Sequence, residues 1–195
     1  MKNKVKRFVI ENLQGKGDVE DMVLKHLLDT EKYVIVLYDK IIGKVPSEEL
    51  LIASLGHDIE RAFREVNVYE KMYNSANGFL DENFLKYHQE KSAEILSGFL
   101  KKNNYPPIKT ENVYKLVRNH ETGGDFDTDI LKDADSISFF INNANHFIKV
   151  KTVESSEEKV KEKLKWMFER ITFKESIEIA VPYYIKAMND LENSI

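Results

Sequence analysis

The stretch LLIASLGHDIERAF, residues 50–63, places a charged side chain where a helix is expected to be apolar. Leu51, Leu55 and Ile59 recur at helical spacing, and this periodicity predicts an amphipathic helix with one apolar stripe. At about 100° per residue, Asp58 points along the same stripe, toward the interior of the protein. An isolated ionised carboxylate in such a place would cost several kcal/mol or would keep its proton. We therefore expect a positive charge close to Asp58.

Helical periodicity continues along nearly the whole chain, and the alternation typical of strands is almost absent. The stretch GKVPSEE (43–49) combines a glycine stop with a proline and serine start, and Asp127 or Thr128 is a candidate cap for a later helix. No internal repeat or long linker divides the chain. The sequence therefore predicts an all-α fold, a single-domain helical bundle over residues 1–195. The expected helices lie at about 4–13, 19–42, 47–66, 82–103, 110–121, 128–150, 156–171 and 174–192.

Composition narrows the classes of function. The chain has 195 residues, a formal net charge of -4, 42% hydrophobic and 32% charged residues, a balance typical of a folded domain. Lysine and arginine are mixed with aspartate and glutamate, so we expect no surface for a nucleic acid polymer or an anionic membrane. No stretch approaches the roughly 20 apolar residues of a membrane span. The absence of cysteine excludes thiolate metal sites and a cysteine nucleophile, and it is compatible with the cytoplasmic location that we expect.

Four of the five histidines and a second aspartate repeat the placement of Asp58 at apolar helical faces, whereas His146 lies on a mixed face. A single histidine on such a face is more often an ordinary core residue, and a lone aspartate is more often a cap or an ion-pair partner. The whole set favours a metal site, because few lysines or arginines share these faces and a divalent cation pairs with both carboxylates and imidazoles. The set comprises His26, His57, Asp58, His88, His120 and Asp135.

Four residues of this set carry a resemblance to a known family. They are His26 in LKHLLDTEKYV, His57 and Asp58 in LGHDIERAF, and Asp135 in LKDADSISFF. Their order resembles the HD superfamily of metal-dependent phosphohydrolases, which has a histidine on one helix, a His-Asp pair on a later helix and an aspartate further on. The resemblance covers residues 20–142. It implies an HD-domain-like metal-binding core with flanking N- and C-terminal helices.

The resemblance also implies a ligand set for one or two divalent metal ions. Mixed nitrogen and oxygen ligands suit Mn, Fe, Co, Ni or Zn better than Ca, and Mg is also among the expected metals. A bound cation would activate a water molecule without a protein nucleophile. The competing aspartate Asp133 points about 200° away from Asp135 and is expected to face outward. The first metal would be held by His26, His57, Asp58 and Asp135, and a second metal, if present, by His88 and His120 with Asp58 bridging.

The implied activity is phosphate-ester hydrolysis on a small phosphorylated molecule or a nucleotide, as in a phosphomonoesterase, nucleotidase or phosphodiesterase. NHETGGDF (119–126) is similar to a loop of the cyclic-dinucleotide phosphodiesterases, although their long glycine-tyrosine-proline signature is missing. Two alternatives stay open. The same six-ligand pattern occurs in diiron oxygenases of this fold, such as inositol oxygenase, and a catalytically silent module that binds a metal or a nucleotide is the third class.

Two further residues are candidates for catalysis beside Asp58. Arg61 lies one turn beyond His57, where it can reach a substrate phosphate or remain a solvated surface charge. Glu121 is a candidate acceptor for a ligand histidine or a proton donor to the leaving group, against the simpler interpretation as a carboxylate at a loop edge. The C-terminal helical extension, residues 150–195, is expected to pack over the metal-binding core, with a homodimer interface or a lid over the site as alternatives.

Overall fold

The computed structural model describes residues 1–15, 18–64, 80–154 and 156–193, which form helices and no strand, so the all-α prediction is confirmed. No helix within these ranges is both long and apolar enough to cross a membrane. The helices are α1 Lys2–Leu13, α2 Asp18–Ile42, α3 Glu48–Gly56, α4 Glu82–Lys102, α5 Pro107–Arg118, α6 Phe126–Ser138, α7 Ala144–Glu154, α8 Glu157–Glu169 and α9 Lys174–Glu192.

The helix predicted at 47–66 is shorter than its periodicity indicates. It ends at Gly56, the next two residues form a turn, and Ile59–Ala62 is a short 3₁₀ segment. Residues 65–66 lie outside the described part of the chain. Asp58 therefore lies in the turn between α3 and the 3₁₀ segment, where it is buried. The inward placement of this carboxylate is as predicted, although the residue lies beyond the end of the helix.

Side-chain caps begin two helices that surround the site. The Ser47 hydroxyl accepts a hydrogen bond from the Leu50 amide at 3.2 Å, as the proline-serine start predicts. At α6 the cap is Asp125, whose carboxylate accepts from the Thr128 amide at 3.0 Å. The prediction of Asp127 or Thr128 as this cap is therefore wrong, and α6 begins two or three residues earlier than these candidates require.

The helix predicted at 128–150 is divided by one turn of π-helix at Phe139–Asn143, which separates α6 from α7. Asp133 is another difference from the sequence prediction, because it is fully buried. Its carboxylate accepts from the backbone amides of Thr172 and Phe173, both at 2.9 Å, just before α9 begins. Asp133 does point away from Asp135, but α9 covers that side of α6, so the outward prediction is wrong.

The first six helices build the main apolar core, in which α2 packs along α6, α4 packs along α5, and α3 contacts both α2 and α5. The helices α7, α8 and α9 enclose a second apolar cluster that includes Ile148, Leu164 and Leu191. Phe168 packs against both clusters. The C-terminal helices are thus joined to the main core, and the end of α8 is held beside α6.

Candidate metal centre

The structure brings all six predicted ligands together in the interior. They come from five separate places: α2, the turn after α3, α4, the turn after α5, and α6. His57 and His120 are fully buried, and none of the six is more than 6% exposed. His146 is exposed, in agreement with its mixed helical face. The buried set is His26, His57, Asp58, His88, His120 and Asp135.

One group of ligand atoms gathers around the Nε2 atom of His26. This nitrogen lies 3.3 Å from Nε2 of His57, 2.9 Å from Oδ1 of Asp135 and 3.9 Å from Oδ2 of Asp58. The Nε2 atom of His57 is in turn 3.4 Å from the same Asp135 oxygen. These are the four residues that the resemblance assigns to the first metal, and three of them, His26, His57 and Asp58, form one group of potential metal ligands.

A second group shares Asp58 with the first. The Nε2 atom of His88 lies 2.7 Å from Oδ1 of Asp58, and the ring of His120 lies 5.4 Å from that of His88, centroid to centroid. Asp58, His88 and His120 offer ligand atoms within 4.8 Å of one another, as His26, His57 and Asp58 do. A carboxylate common to two buried triads can serve as a ligand to two neighbouring cations.

Two of the histidines are oriented by backbone carbonyl groups. Nδ1 of His57 donates to the Ser54 carbonyl at 2.9 Å, and Nδ1 of His120 donates to the Val117 carbonyl at 2.6 Å. A carbonyl oxygen only accepts, so Nδ1 carries the proton and the Nε2 lone pair of a neutral ring faces the site. Anchoring of the distal nitrogen in this way is typical of metal-ligating histidines.

His88 is oriented by a carboxylate that the sequence analysis did not select. Its Nδ1 lies 2.9 Å from Oε2 of Glu60, and Nε of Arg64 donates to Oε1 of Glu60 at 2.7 Å. Burial raises the pKa of Glu60, but the hydrogen bonds from Arg64 and His88 outweigh it and lower that pKa to about 2. The spacing of Glu60 and Arg64, four residues apart, is the only sequence signal for this pair.

The loop that presents His120 turns at two glycines. Gly123 has φ +74° and Gly124 has φ +134°, a conformation that a side chain rarely adopts. The Glu121 amide donates to Oε1 of Gln89 at 3.1 Å, which ties the start of the loop to α4. The two glycines therefore allow the chain to turn after His120.

The buried imidazoles of His57 and His88 lie next to carboxylates and require positive charge beside them. Both ring nitrogens of His88 face carboxylates, although a neutral imidazole has a single N–H. Burial lowers the pKa of His88, but Asp58 and Glu60 outweigh it and raise that pKa. Burial likewise lowers the pKa of His57, and Asp58 with Asp135 raises it overall. These nitrogens therefore need positive charge beside them, and either protons or a cation can supply it.

His120 makes the strongest case for a cation. Its buried Nε2 has no hydrogen-bond partner in the described part of the chain. Burial lowers the pKa of His120 to about 4, so the ring is neutral at pH 7 and Nε2 carries an unused lone pair. A buried polar atom without a partner needs an explanation, and a metal ion in front of Nε2 supplies one.

Two arginines overturn the expectation that few basic residues approach these acids. Nε of Arg61 donates to Oδ2 of Asp58 at 2.5 Å, and Arg170 from the end of α8 pairs with Asp135 and Glu121. Burial raises the pKa of Asp58, but Arg61 and the neighbouring histidines hold that pKa well below its usual value. The arginines thus account for much of the carboxylate charge, and the histidines carry the argument for a metal.

Glu121 lies at the edge of the site in a role that the sequence left open. It pairs with Arg170, and its Oε1 lies 3.8 Å from Nε2 of His120. Burial raises the pKa of Glu121, but Arg170 and His120 lower it to about 2. At neutral pH Glu121 is therefore ionised, which favours a role as acceptor over one as proton donor.

Comparison with known proteins assigns neither a family nor a function to this chain. No family model, no curated protein and no solved structure matches this chain. Four buried histidines and Asp58 form two groups of potential metal ligands, whose donors are imidazole nitrogens and carboxylate oxygens. Such a mixed set fits a divalent transition metal.

Proposed function

We propose that this chain is a metal-dependent phosphohydrolase that binds two divalent cations at adjacent positions with Asp58 between them. The observation that carries the proposal is the pair of buried triads sharing this carboxylate, with the unpartnered Nε2 of His120 in the second. The resemblance of the His26, His57–Asp58 and Asp135 pattern to the HD superfamily supports the same function. The mixture of imidazole and carboxylate ligands supports Mn, Fe, Co, Ni or Zn as the metal.

The side chains of the site have distinct tasks in this proposal. Cations bound there lower the pKa of a coordinated water and stabilise negative charge on phosphoryl oxygens. The hydrogen bonds from Nδ1 of His57 and His120 hold the rings in the ligating tautomer, and Glu60 does the same for His88. Arg61 is 32% exposed while its Nε contacts Asp58, so it lies where the interior meets solvent and can position a substrate phosphate.

The test is metal content and hydrolysis in the variant Asp58→Ala. We expect wild-type protein loaded with Mn²⁺ to retain two ions per chain by elemental analysis and to hydrolyse a general phosphomonoester such as p-nitrophenyl phosphate. Because Asp58 belongs to both triads, the variant should lose most of the metal and at least a hundredfold in rate, about 3 kcal/mol of transition-state stabilisation. Asp39→Ala, at an exposed position of α2, is the control and should behave as wild type.

Two results would contradict the proposal. Stoichiometric metal in Asp58→Ala would show that the cation is held elsewhere. Oxygen-dependent turnover by iron-loaded protein, with no hydrolysis of phosphomonoesters or phosphodiesters in a Mn²⁺ screen, would replace the hydrolase by an oxygenase. An anaerobic absorption spectrum of the iron-loaded protein, recorded beside the screen, distinguishes these chemistries.

A further inference from the structure

The helix α8 carries three side chains on one face, at positions 163, 166 and 170. Nζ of Lys163 lies 4.1 Å from the ring centroid of Trp166, and the guanidinium carbon of Arg170 lies 4.7 Å from it. The sequence analysis assigned no chemistry to this helix. The structure nevertheless directs this face toward the metal centre, because Arg170 reaches Asp135.

All three nitrogens of the Arg170 guanidinium have partners around the site. Nη2 donates to Oδ2 of Asp135, Nη1 donates to Glu121, and Nε donates to the Ser136 hydroxyl at 2.8 Å. The side chain is only 7% exposed. Arg170 therefore holds Oδ2 of Asp135, while Oδ1 of the same carboxylate faces Nε2 of His26 and His57. A guanidinium at Oδ2 and a cation at Oδ1 would compete for the charge of Asp135.

The sum of the charges around the site indicates what must bind together with a metal ion. Within the described residues, the site has four carboxylates, Asp58, Glu60, Glu121 and Asp135, and four basic groups, Arg61, Arg64, Lys163 and Arg170. Ligating imidazoles are neutral, so the protein groups sum to about zero. Each divalent cation then adds two positive charges in a buried place. Such an excess is costly unless an anion binds with the metal.

We propose that Arg170 is the phosphate-positioning residue of this site and that the substrate is a dianionic phosphomonoester. Arg170 holds Asp135 and Glu121 until a cation binds Asp135, and its guanidinium then binds two phosphoryl oxygens. Lys163 lies beside it on the same helical face. This inference rests on the proposed function, since it requires a metal at Asp135.

The chemistry of the groups favours this assignment over a diester. A guanidinium presents parallel N–H donors that match two oxygens of one phosphoryl group, and a terminal phosphate offers three such oxygens. A diester carries one negative charge and offers two unesterified oxygens, so it offsets less of the excess. The contact with Trp166 keeps the Arg170 side chain near the site when its guanidinium leaves Asp135.

The experiment measures how inorganic phosphate changes Mn²⁺ affinity by isothermal titration calorimetry. In the wild-type chain we expect phosphate to tighten Mn²⁺ binding roughly tenfold, a coupling within the usual range for linked sites. In Arg170→Gln, Mn²⁺ alone should bind more tightly than in wild type because the competing guanidinium is gone, and the effect of phosphate should fall below about twofold. The control Arg118→Gln removes an exposed arginine that pairs with Glu90 and should keep the wild-type coupling.

A second readout follows the arginine directly. Trp166 is the only tryptophan of the chain, so its fluorescence reports the contact with Arg170. Adding phosphate to Mn²⁺-loaded wild-type protein should change the emission saturably, and the same addition to Arg170→Gln should leave it unchanged. If circular dichroism shows that Arg170→Gln is unfolded, Arg170→Lys replaces it. That variant keeps the charge but lacks the fork of donors, so it should show at least a threefold loss of coupling.

The outcomes separate this inference from the proposed function. Undiminished phosphate coupling in the position 170 variants, or weaker binding of Mn²⁺ alone in Arg170→Gln, would overturn the role of Arg170 while leaving a metal site in place. Equal coupling by phosphate and by the monoanion dimethyl phosphate would overturn the monoester assignment. Failure of the wild-type chain to bind Mn²⁺ at all would remove the proposed function itself.

Discussion

At the scale of single residues, the two nitrogens of each imidazole have different tasks. In His57 and His120 one nitrogen donates to a backbone carbonyl of the preceding turn, and the other faces the site. A local hydrogen bond therefore fixes which nitrogen presents its lone pair, before any distant residue is considered. The orientation of these two candidate ligands is thus set by their own backbone, whereas that of His88 is set by Glu60.

His120→Gln tests this division of tasks. The substitution removes the Nε2 ligand of the second triad but leaves the shared Asp58 in place. We expect metal content to fall from two ions per chain to one by elemental analysis. In metal-free protein the free energy of unfolding should fall by only about 1 kcal/mol, the value of the lost bond to the Val117 carbonyl. His146→Gln, at an exposed position, is the matched control and should keep both ions. Two ions in His120→Gln would contradict the assignment.

At the scale of helices, Gly56 at the end of α3 lies beside Leu96 of α4, immediately before the His57–Asp58 turn. A methyl group at Gly56 would lie 2.7 Å from Cδ2 of Leu96, a leucine that is fully buried. The absence of a side chain at Gly56 thus lets the two helices approach where α3 ends. His57 follows immediately, so the same contact brings its ring toward the ligands on the other helices.

Gly56→Ala is therefore expected to destabilise the protein, although alanine ordinarily favours a helix. The added methyl overlaps Leu96 in a filled interior, and overpacking of this kind costs about 1–3 kcal/mol in chemical denaturation. Gly98→Ala in α4 is the matched control, because nothing lies within 4 Å of the added methyl. It should stabilise the chain by about 0.5–1 kcal/mol. Equal effects of the two substitutions would argue against the close contact.

At the scale of the whole molecule, the ligands tie distant parts of the chain to one point. His26 and Asp135 are 109 residues apart in sequence, and their side-chain atoms lie 2.9 Å apart. The partners of Arg170 extend this arrangement to the C-terminal helices through α8. A cation at the centre would therefore bind the folded chain and not the unfolded one, and its binding would stabilise the entire bundle.

Metal removal gives the corresponding prediction. At a free Mn²⁺ concentration one hundred times the Kd, linkage adds about 2.7 kcal/mol to stability, or roughly 5–10 °C in Tm for a chain of this size. Differential scanning calorimetry should show this rise with Mn²⁺ and its reversal with EDTA. The Asp58→Ala variant should show no rise, while Asp39→Ala should match wild type. An unchanged Tm in Mn²⁺-loaded wild-type protein would contradict a site in the interior.

The sequence alone determined the helical class, most helix positions and the six inward-facing side chains. The helical class and the inward placement of His26, His88 and Asp135 depend on spacing of about 3.6 residues and on local capping, and contiguous residues determine both. Only the tertiary structure decided that α3 ends at Gly56, that Asp133 is covered by α9, and that Arg170 reaches Asp135. Those outcomes depend on which surfaces pack together, and the contact between Arg170 and Asp135 joins residues 35 positions apart on different helices. Local periodicity does not relate positions so far apart in the sequence. Packing and charge pairing bring them together only when the chain folds.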